Sequence, residues 1–186
     1  MRKIYLLALG LAAALSGCAS NGMAGAALEA VGLRKPPELP DAQKAARTVA
    51  LRLHASHKLN ADRNGQPLAL AVRIYQLRHK EAFEQAPYAV FLSPQAERAN
   101  LGSDLVQVRE IMLVPGQRYE VLEKVGREAS HLAVVALFQR PAAGRWRASF
   151  PAGEAERTGL TLGLHACALT AGASSPAPSL SSVRCQ

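Results

Sequence analysis

From residue 49 the apolar positions alternate: Val49, Leu51, Leu53 and Ala55 fall on one side, and Ala50, Arg52, His54 and Ser56 on the other. A period of two sends successive side chains to opposite faces of an extended chain, so the stretch predicts a half-buried strand. A second strand is predicted over Leu68 to Arg78, with Leu68, Leu70, Val72 and Ile74 inward and Arg73 and Tyr75 on the opposite face. His79 to Ser93 breaks the alternation: Phe83, Ala86 and Val90 recur at helical spacing, and Pro87 divides the segment into two short helical turns. Ala96 to Leu105 continues as helical or irregular chain, with Leu101-Gly102 as a stop. Alternation returns over Val106 to Val114 and, past a Pro115-Gly116 turn, over Tyr119 to Val125. His131 to Gln139 is apolar on both faces, as a central strand is. Arg145 to Phe150 turns Trp146, Ala148 and Phe150 inward, and Leu160 to Leu169 alternates once more. Seven strands with turns between them make a mainly β chain, a β-sandwich with a short helical insertion after the second strand.

The residues before and after this domain, taken as 49–169, have other patterns. Arg2 and Lys3 precede an apolar run of 12 residues, Ile4 to Leu15, and then Ser16-Gly17-Cys18. A bilayer-spanning helix needs about 20 apolar residues, so the run reads as a signal segment, 1–17. A Cys directly behind Leu-Ser-Gly is what lipoprotein processing requires, because its thiolate accepts the diacylglyceryl group. Cys18 is therefore the expected mature N-terminus, carrying diacylglycerol and an N-acyl chain; the other reading is an ordinary secreted protein with a chance Cys. One acyl chain anchors a protein marginally, whereas two or more anchor it stably. Ala19 in place of Asp favours the outer membrane in the enterobacterial sorting pattern. Residues 18–48 read as a tether: a weak helix over Met23 to Leu33, then Lys35-Pro36-Pro37-Glu38-Leu39-Pro40, whose prolines enforce extended chain. Residues 170–186 are rich in Ala, Gly, Ser and Pro and read as a tail with too little apolar surface to order itself.

Removing the signal segment leaves 169 residues, enough for one domain with tails, and lowers Lys+Arg from 22 to 20 against 14 acidic residues. The cations are scattered without a basic stripe, which excludes a nucleic-acid protein and suits a surface facing anionic headgroups or an acidic partner. With Cys18 lipidated, Cys167 and Cys185 remain in an oxidising compartment. A bridge between them would contribute about 3 kcal/mol in the chain-entropy model; the alternative is two free thiols.

Between the first two strands lies Asn60-Ala61-Asp62-Arg63-Asn64-Gly65-Gln66, followed by Pro67. Asn-Gly supplies the positive φ of a hairpin turn, and Asp62 and Asn60 are suited to bonding their own backbone. A loop on a rigid sheet is a common place for partner contacts, and a plain solvated hairpin end fits the residues equally well. Convergent chemistry is missing from the sequence. His54 and His57 project to opposite faces of a strand, and no further ligand motif accompanies them, so neither a metal nor another cofactor is expected. Gly-x-Ser-x-Gly and phosphate loops are absent, and Ser103-Asp104 would need a distant His, so catalysis is not expected. Arg52 and His54 read as solvent-facing, Trp146 and Phe150 as sandwich filling, and Tyr75 as an edge cap.

The stretch LRLHASHKLNADRNGQPLALAVRIYQLR, Leu51 to Arg78, resembles the type VI secretion lipoprotein family known as TssJ or VasD. The parts match in order: an alternating strand, Leu59-Asn60 opening a loop, Gly65-Gln66-Pro67-Leu68 leaving it, then Val72 to Leu77. Phe83 with Ala86, the Leu101-Gly102 step to Asp104-Leu105, Val114-Pro115-Gly116, and Val134 to Phe138 before Trp146-Arg147 continue the likeness. The resemblance implies a transthyretin-like sandwich, hung from the outer membrane and facing the periplasm, without catalytic role. Its implied task is to hold the periplasmic C-terminal domain of TssM, in a complex with TssL, through the loop that maps onto Asn60 to Gln66. The rival readings are a periplasmic module binding a small ligand between its sheets, which needs an apolar cavity, and a secreted hydrolase, which needs a convergent triad.

Overall fold

The computed structural model describes residues 44–172 and 184–185; Cys18, the signal segment, the tether up to residue 43 and most of the C-terminal tail lie outside them. Among the described residues eight strands form two four-stranded sheets. In chain order these are β1 (Arg47–Ala55), β2 (Leu70–Leu77), β3 (Leu105–Leu113), β4 (Arg118–Val125), β5 (His131–Ala136), β6 (Arg147–Pro151), β7 (Leu160–Leu164) and β8 (Leu169–Ala171). One sheet runs β4-β1-β7-β8, with β1 antiparallel to β4 and parallel to β7; the other runs β3-β2-β5-β6 and is antiparallel throughout.

The alternation in β1 does what its pattern predicts. Val49, Leu51 and Leu53 are fully buried while Arg52 and His54 face solvent, so the strand gives one face to the core. β5 is buried along Leu132 to Ala136 because it lies between β2 and β6 with layers on both sides. Packed side chains fill the space between the sheets, with Leu51, Leu53, Leu70, Ile74, Leu113 and Leu132 each at 0–2% exposure. Burying a side chain of that size contributes about 1.5–3 kcal/mol.

β1 and β2 do not form a hairpin, contrary to the reading of Asn64-Gly65. They belong to different sheets, so the segment between them crosses the sandwich. A turn signal reports local backbone geometry and is silent about whether the flanking strands pair. Tyr75 is likewise no edge cap. The insertion, made of α1 (Glu81–Gln85), a 3₁₀ turn (Tyr88–Leu92), α2 (Pro94–Leu101) and a second 3₁₀ turn (Gly102–Asp104), covers the outer face of β2. Tyr75, Phe83 and Phe91 then stack at centroid distances of 5.4–6.0 Å. Trp146 joins this outer layer, 4.9 Å from Tyr88 and 5.4 Å from Phe91, and does not fill the space between the sheets.

Charges fasten the insertion. Glu97 of α2, 3% exposed, accepts hydrogen bonds from Arg73 Nη1 at 2.5 Å and Tyr75 Oη at 3.0 Å, and Arg73 Nε donates to Glu110 at 2.7 Å. Burial opposes the charge on Arg73, yet the bond to Glu110 and the field of Glu97 raise its pKa above the ordinary value. Burial, aided by Glu97, holds the Tyr75 phenol protonated. Arg147 of β6 caps α1 by donating to the carbonyls of Phe83, Glu84 and Ala86.

Two elements carry no plain pattern in the sequence. α3 (Ala152–Thr158) buries just two alanines, Ala152 and Ala155, and ends at Gly159 (φ 68°), where a Cβ would stand 3.0 Å from the Ala50 carbonyl oxygen. The stretch read as one strand from Leu160 to Leu169 is the β7–β8 hairpin, so Thr170 and Ala171, read as tail, are strand residues. Cys167 and Cys185 are joined by a disulfide with Cα atoms 5.6 Å apart, which returns the end of the tail to the sandwich.

Candidate functional site

The strand directions gather four connections at one end of the sandwich: 56–69, 114–117, 137–146 and 165–168. The loop after β1 is fastened there at its base. Leu59 is fully buried, and the amides of Asn60 and Ala61 donate to the carbonyls of His165 (3.1 Å) and Ala166 (2.9 Å). Asn60 takes a positive φ of 47°, a conformation that Asn tolerates better than most residues. Its Nδ2 donates to the Ala69 carbonyl at 2.8 Å, and its Oδ1 accepts from the Gln139 amide at 2.7 Å. One side chain thus ties the two ends of the loop to the β5–β6 connection.

Asp62 closes the loop on itself. Its Oδ1 accepts from the amides of Asn64 (2.8 Å) and Gln66 (2.9 Å), while its own amide donates to the Gln66 carbonyl at 3.0 Å. Gly65 completes the turn at φ 78°. The result is a stiff, self-bonded tip that presents Arg63, Asn64, Gly65, Gln66 and Pro67 to solvent. Of the seven residues expected to contact a partner, Asn60 is 6% exposed and committed to internal bonds, and Ala61 and Asp62 are half-buried. They build the loop, and residues 63–66 form its face.

Gln139 and Arg140 complete this surface. Together with Asp62, Arg63 and Asn64 they line a shallow depression of about 380 Å³. Nothing local in the sequence marks the two residues, which lie more than 70 positions from the loop; the signal is topological, since β5 must end where β1 ends. The depression is polar and open, unlike the apolar cavity that a small ligand would need.

Other candidates separate in space. Arg52 and His54 lie on the exposed face of the first sheet, with Arg52 3.9 Å from Glu120, while Arg73 is under the insertion on the other sheet. They share no face. The His57 ring packs against Gly116, and no group of three metal-ligating side chains exists among the described residues. Asp104 contacts the His79 ring at 2.8 Å, whereas the Ser130 hydroxyl donates to the Arg78 carbonyl beside His131, so no Ser-His-Asp relay is assembled from these groups. The Arg78-to-Ser130 end of the fold thus holds paired polar groups without a reacting centre.

Comparison with known proteins decides the family. A family model for the type VI secretion lipoprotein (VasD, EvfM, TssJ) matches residues 47–167, which takes in the whole sandwich up to the β7–β8 turn. The chain belongs to the type VI secretion lipoprotein family. A model of the prokaryotic membrane lipoprotein lipid attachment site matches residues 1–19, which include Cys18. The T6SS lipoprotein TssJ1 from Pseudomonas aeruginosa is similar at 28% identity and TM-score 0.60, covering 72% of this chain and 99% of that one. A chain of a type VI membrane complex is similar at 26% identity and TM-score 0.62, over 68% and 98%. A chain in a structure of the T6SS protein TssM C-terminal domain from EAEC is similar at 26% identity and TM-score 0.57, over 67% and 97%. No curated protein matches the sequence significantly. The lipoprotein is accordingly a membrane-anchored component of the type VI secretion machinery, in a family of structural lipoproteins and not of known enzymes.

Proposed function

We propose that this lipoprotein hangs from the outer membrane by acyl chains on Cys18, faces the periplasm, and holds the periplasmic C-terminal domain of TssM, in a complex with TssL, through the loop after β1. One observation carries the reading: a tip stiffened by Asp62 and fastened at its base by Asn60 presents Arg63 to Gln66, polar side chains whose backbone is ordered in advance. Ordering before binding lowers the entropy lost on association. The likeness to a chain in the TssM C-terminal domain structure supports the choice of partner. Two anchoring acyl chains give stable attachment where one does not, which suits a protein that must resist pulling.

The test is calorimetry of the full lipidated protein in detergent against the TssM periplasmic domain. The variant Arg63→Ser/Asn64→Ser/Gln66→Ser keeps Asn60, Asp62 and Gly65 and therefore the loop's shape. It is expected to melt within about 0.5 kcal/mol of wild type, because surface substitutions seldom cost more. Its binding is expected to weaken by at least tenfold, about 1.4 kcal/mol. Unchanged affinity in the folded variant would place the contact elsewhere.

A further inference from the structure

The turn between β7 and β8, 165–168, is the point on which both halves of the candidate site hang. On one side the His165 and Ala166 carbonyls receive the amides of Asn60 and Ala61, at 3.1 and 2.9 Å, and so hold the base of the β1–β2 loop. On the other side the Cys167 carbonyl receives the Ala142 amide at 2.9 Å, and the Leu169 amide donates to the Arg145 carbonyl at 2.6 Å. These bonds hold the β5–β6 connection, which carries Gln139. The turn has little of its own to rest on. It leads into β8, a strand of three residues at the edge of its sheet. Its apolar footing is a small cluster apart from the main core, made of Ala142, Cys167 and Ala168 at 1–3% exposure with Cys185 packed against them.

Small side chains bury little apolar area, so this cluster depends on the half-cystine that covers it. The disulfide keeps that cover in place, although its second half comes from 18 residues further along the chain. Cys185 also reaches the β5–β6 connection directly, where its carbonyl accepts from Arg140 Nη2 at 3.5 Å. The match to the family model ends at residue 167, so Cys185 is no part of the pattern that shows the family.

We infer that the Cys167–Cys185 disulfide is the clamp that holds the β1–β2 loop in its binding position, so that affinity for the protein partner depends on the bridge being closed. The inference rests on the partner reading and adds to it the pair that positions the loop. Neither cysteine belongs to the exposed tip at 63–66. With the bridge open, residue 185 is held by non-covalent contacts alone, the small cluster opens to water, and the turn frays as weakly packed chain ends do. The Asn60 and Ala61 amides then lose fixed acceptors. The tip keeps its shape, because the bonds of Asp62 to Asn64 and Gln66 lie within it, and the Asn60 side chain still reaches Ala69 and Gln139. The loop therefore loosens at its footing without collapsing, and the ordering it had lost is paid for on association.

The experiment compares three forms of the full lipidated protein in detergent: oxidised wild type, wild type reduced with dithiothreitol, and Cys167→Ala/Cys185→Ala. In the reduction two electrons and two protons pass from the reagent to the bridge, leaving two protein thiols and the cyclic oxidised reagent. The double variant treated with the same reagent controls for its other effects. Thermal melting verifies that each form is folded; if the double variant is not, the reduced wild type carries the test. Amide hydrogen exchange read by mass spectrometry compares Asn60, Ala61 and Ala142 with Ile74 and Val134 in the central strands, and calorimetry reads binding to the TssM periplasmic domain. Opening the bridge is expected to speed exchange at the first three by at least about tenfold more than at Ile74 and Val134, because the opening is local. Affinity is expected to fall by at least about fivefold. Equal acceleration at all five amides, or none at Asn60 and Ala61, would overturn the inference, and so would unchanged affinity in a protein whose loop has loosened. Absence of binding by the oxidised wild type would overturn the partner reading and the dependence of affinity on the bridge, whereas the exchange pattern decides by itself whether the bridge holds the loop.

Discussion

At the scale of single residues, Asn60 does more for the loop than any side chain the partner would see. It accepts a left-handed backbone, satisfies the Ala69 carbonyl and the Gln139 amide, and is nearly buried while doing so. Asn60→Ala would take the side-chain partner from the part-buried bonds to the Ala69 carbonyl and the Gln139 amide and put a less tolerant residue at positive φ. The expected cost is about 1–3 kcal/mol in urea unfolding, since two hydrogen bonds are lost and each contributes about 0.5–1.5 kcal/mol. His165 sits at the same base. Its carbonyl receives the Asn60 amide, its Nε2 pairs with Thr170 Oγ1 at 3.0 Å, and burial lowers its pKa below the usual 6.5. The unfolded chain therefore binds a proton more readily than the folded one in this range. Stability from this group is fully present above pH 6.5 and is lost as the pH falls below it. Melting followed from pH 7.5 to 5.5 should fall more steeply for wild type than for His165→Gln; parallel curves would show that His165 contributes nothing to the pH response.

Elements reveal what a pattern can and cannot carry. β1 and β5 were legible because burial on one face, or on both, writes itself into the sequence as alternation or a continuous apolar run. Tyr75 was misplaced because the outer face of β2 is covered by helices that follow it in the chain, and periodicity within a strand is blind to what packs over it. α3 escaped notice because its buried face is two alanines, and β8 because three residues in an Ala/Gly context give no period. Of the site, the loop was legible from its turn residues, whereas Gln139 and Arg140 depend on strand order and were not. The insertion itself depends on Glu97, which holds Arg73 and Tyr75 from α2. Glu97→Ala would strand a mostly buried guanidinium with Glu110 as its remaining carboxylate and leave the Tyr75 hydroxyl unpaired. The expected loss is about 2–4 kcal/mol, below the largest values for broken buried pairs because Glu110 remains. Limited proteolysis should cut first within 79–104. Cleavage at another site first, with unchanged stability, would contradict the assignment.

Considered whole, the molecule divides its labour between two ends. One end receives the anchored N-terminal segment at Arg47, and the other gathers a stiff loop, a shared depression and the disulfide. The filled space between the sheets supplies rigidity to that end, and the helical insertion covers one outer face so that β2 and β5 of the second sheet are largely buried on both sides. In the proposed assembly the tip of the β1–β2 loop touches TssM. The measurement that tests this contact most directly is site-specific photocrosslinking in cells, with p-benzoylphenylalanine in place of Asn64 at the exposed tip and, separately, of Arg98 on α2. A TssM adduct is expected from position 64 and none from position 98. A TssM adduct from position 98 with none from position 64 would contradict it.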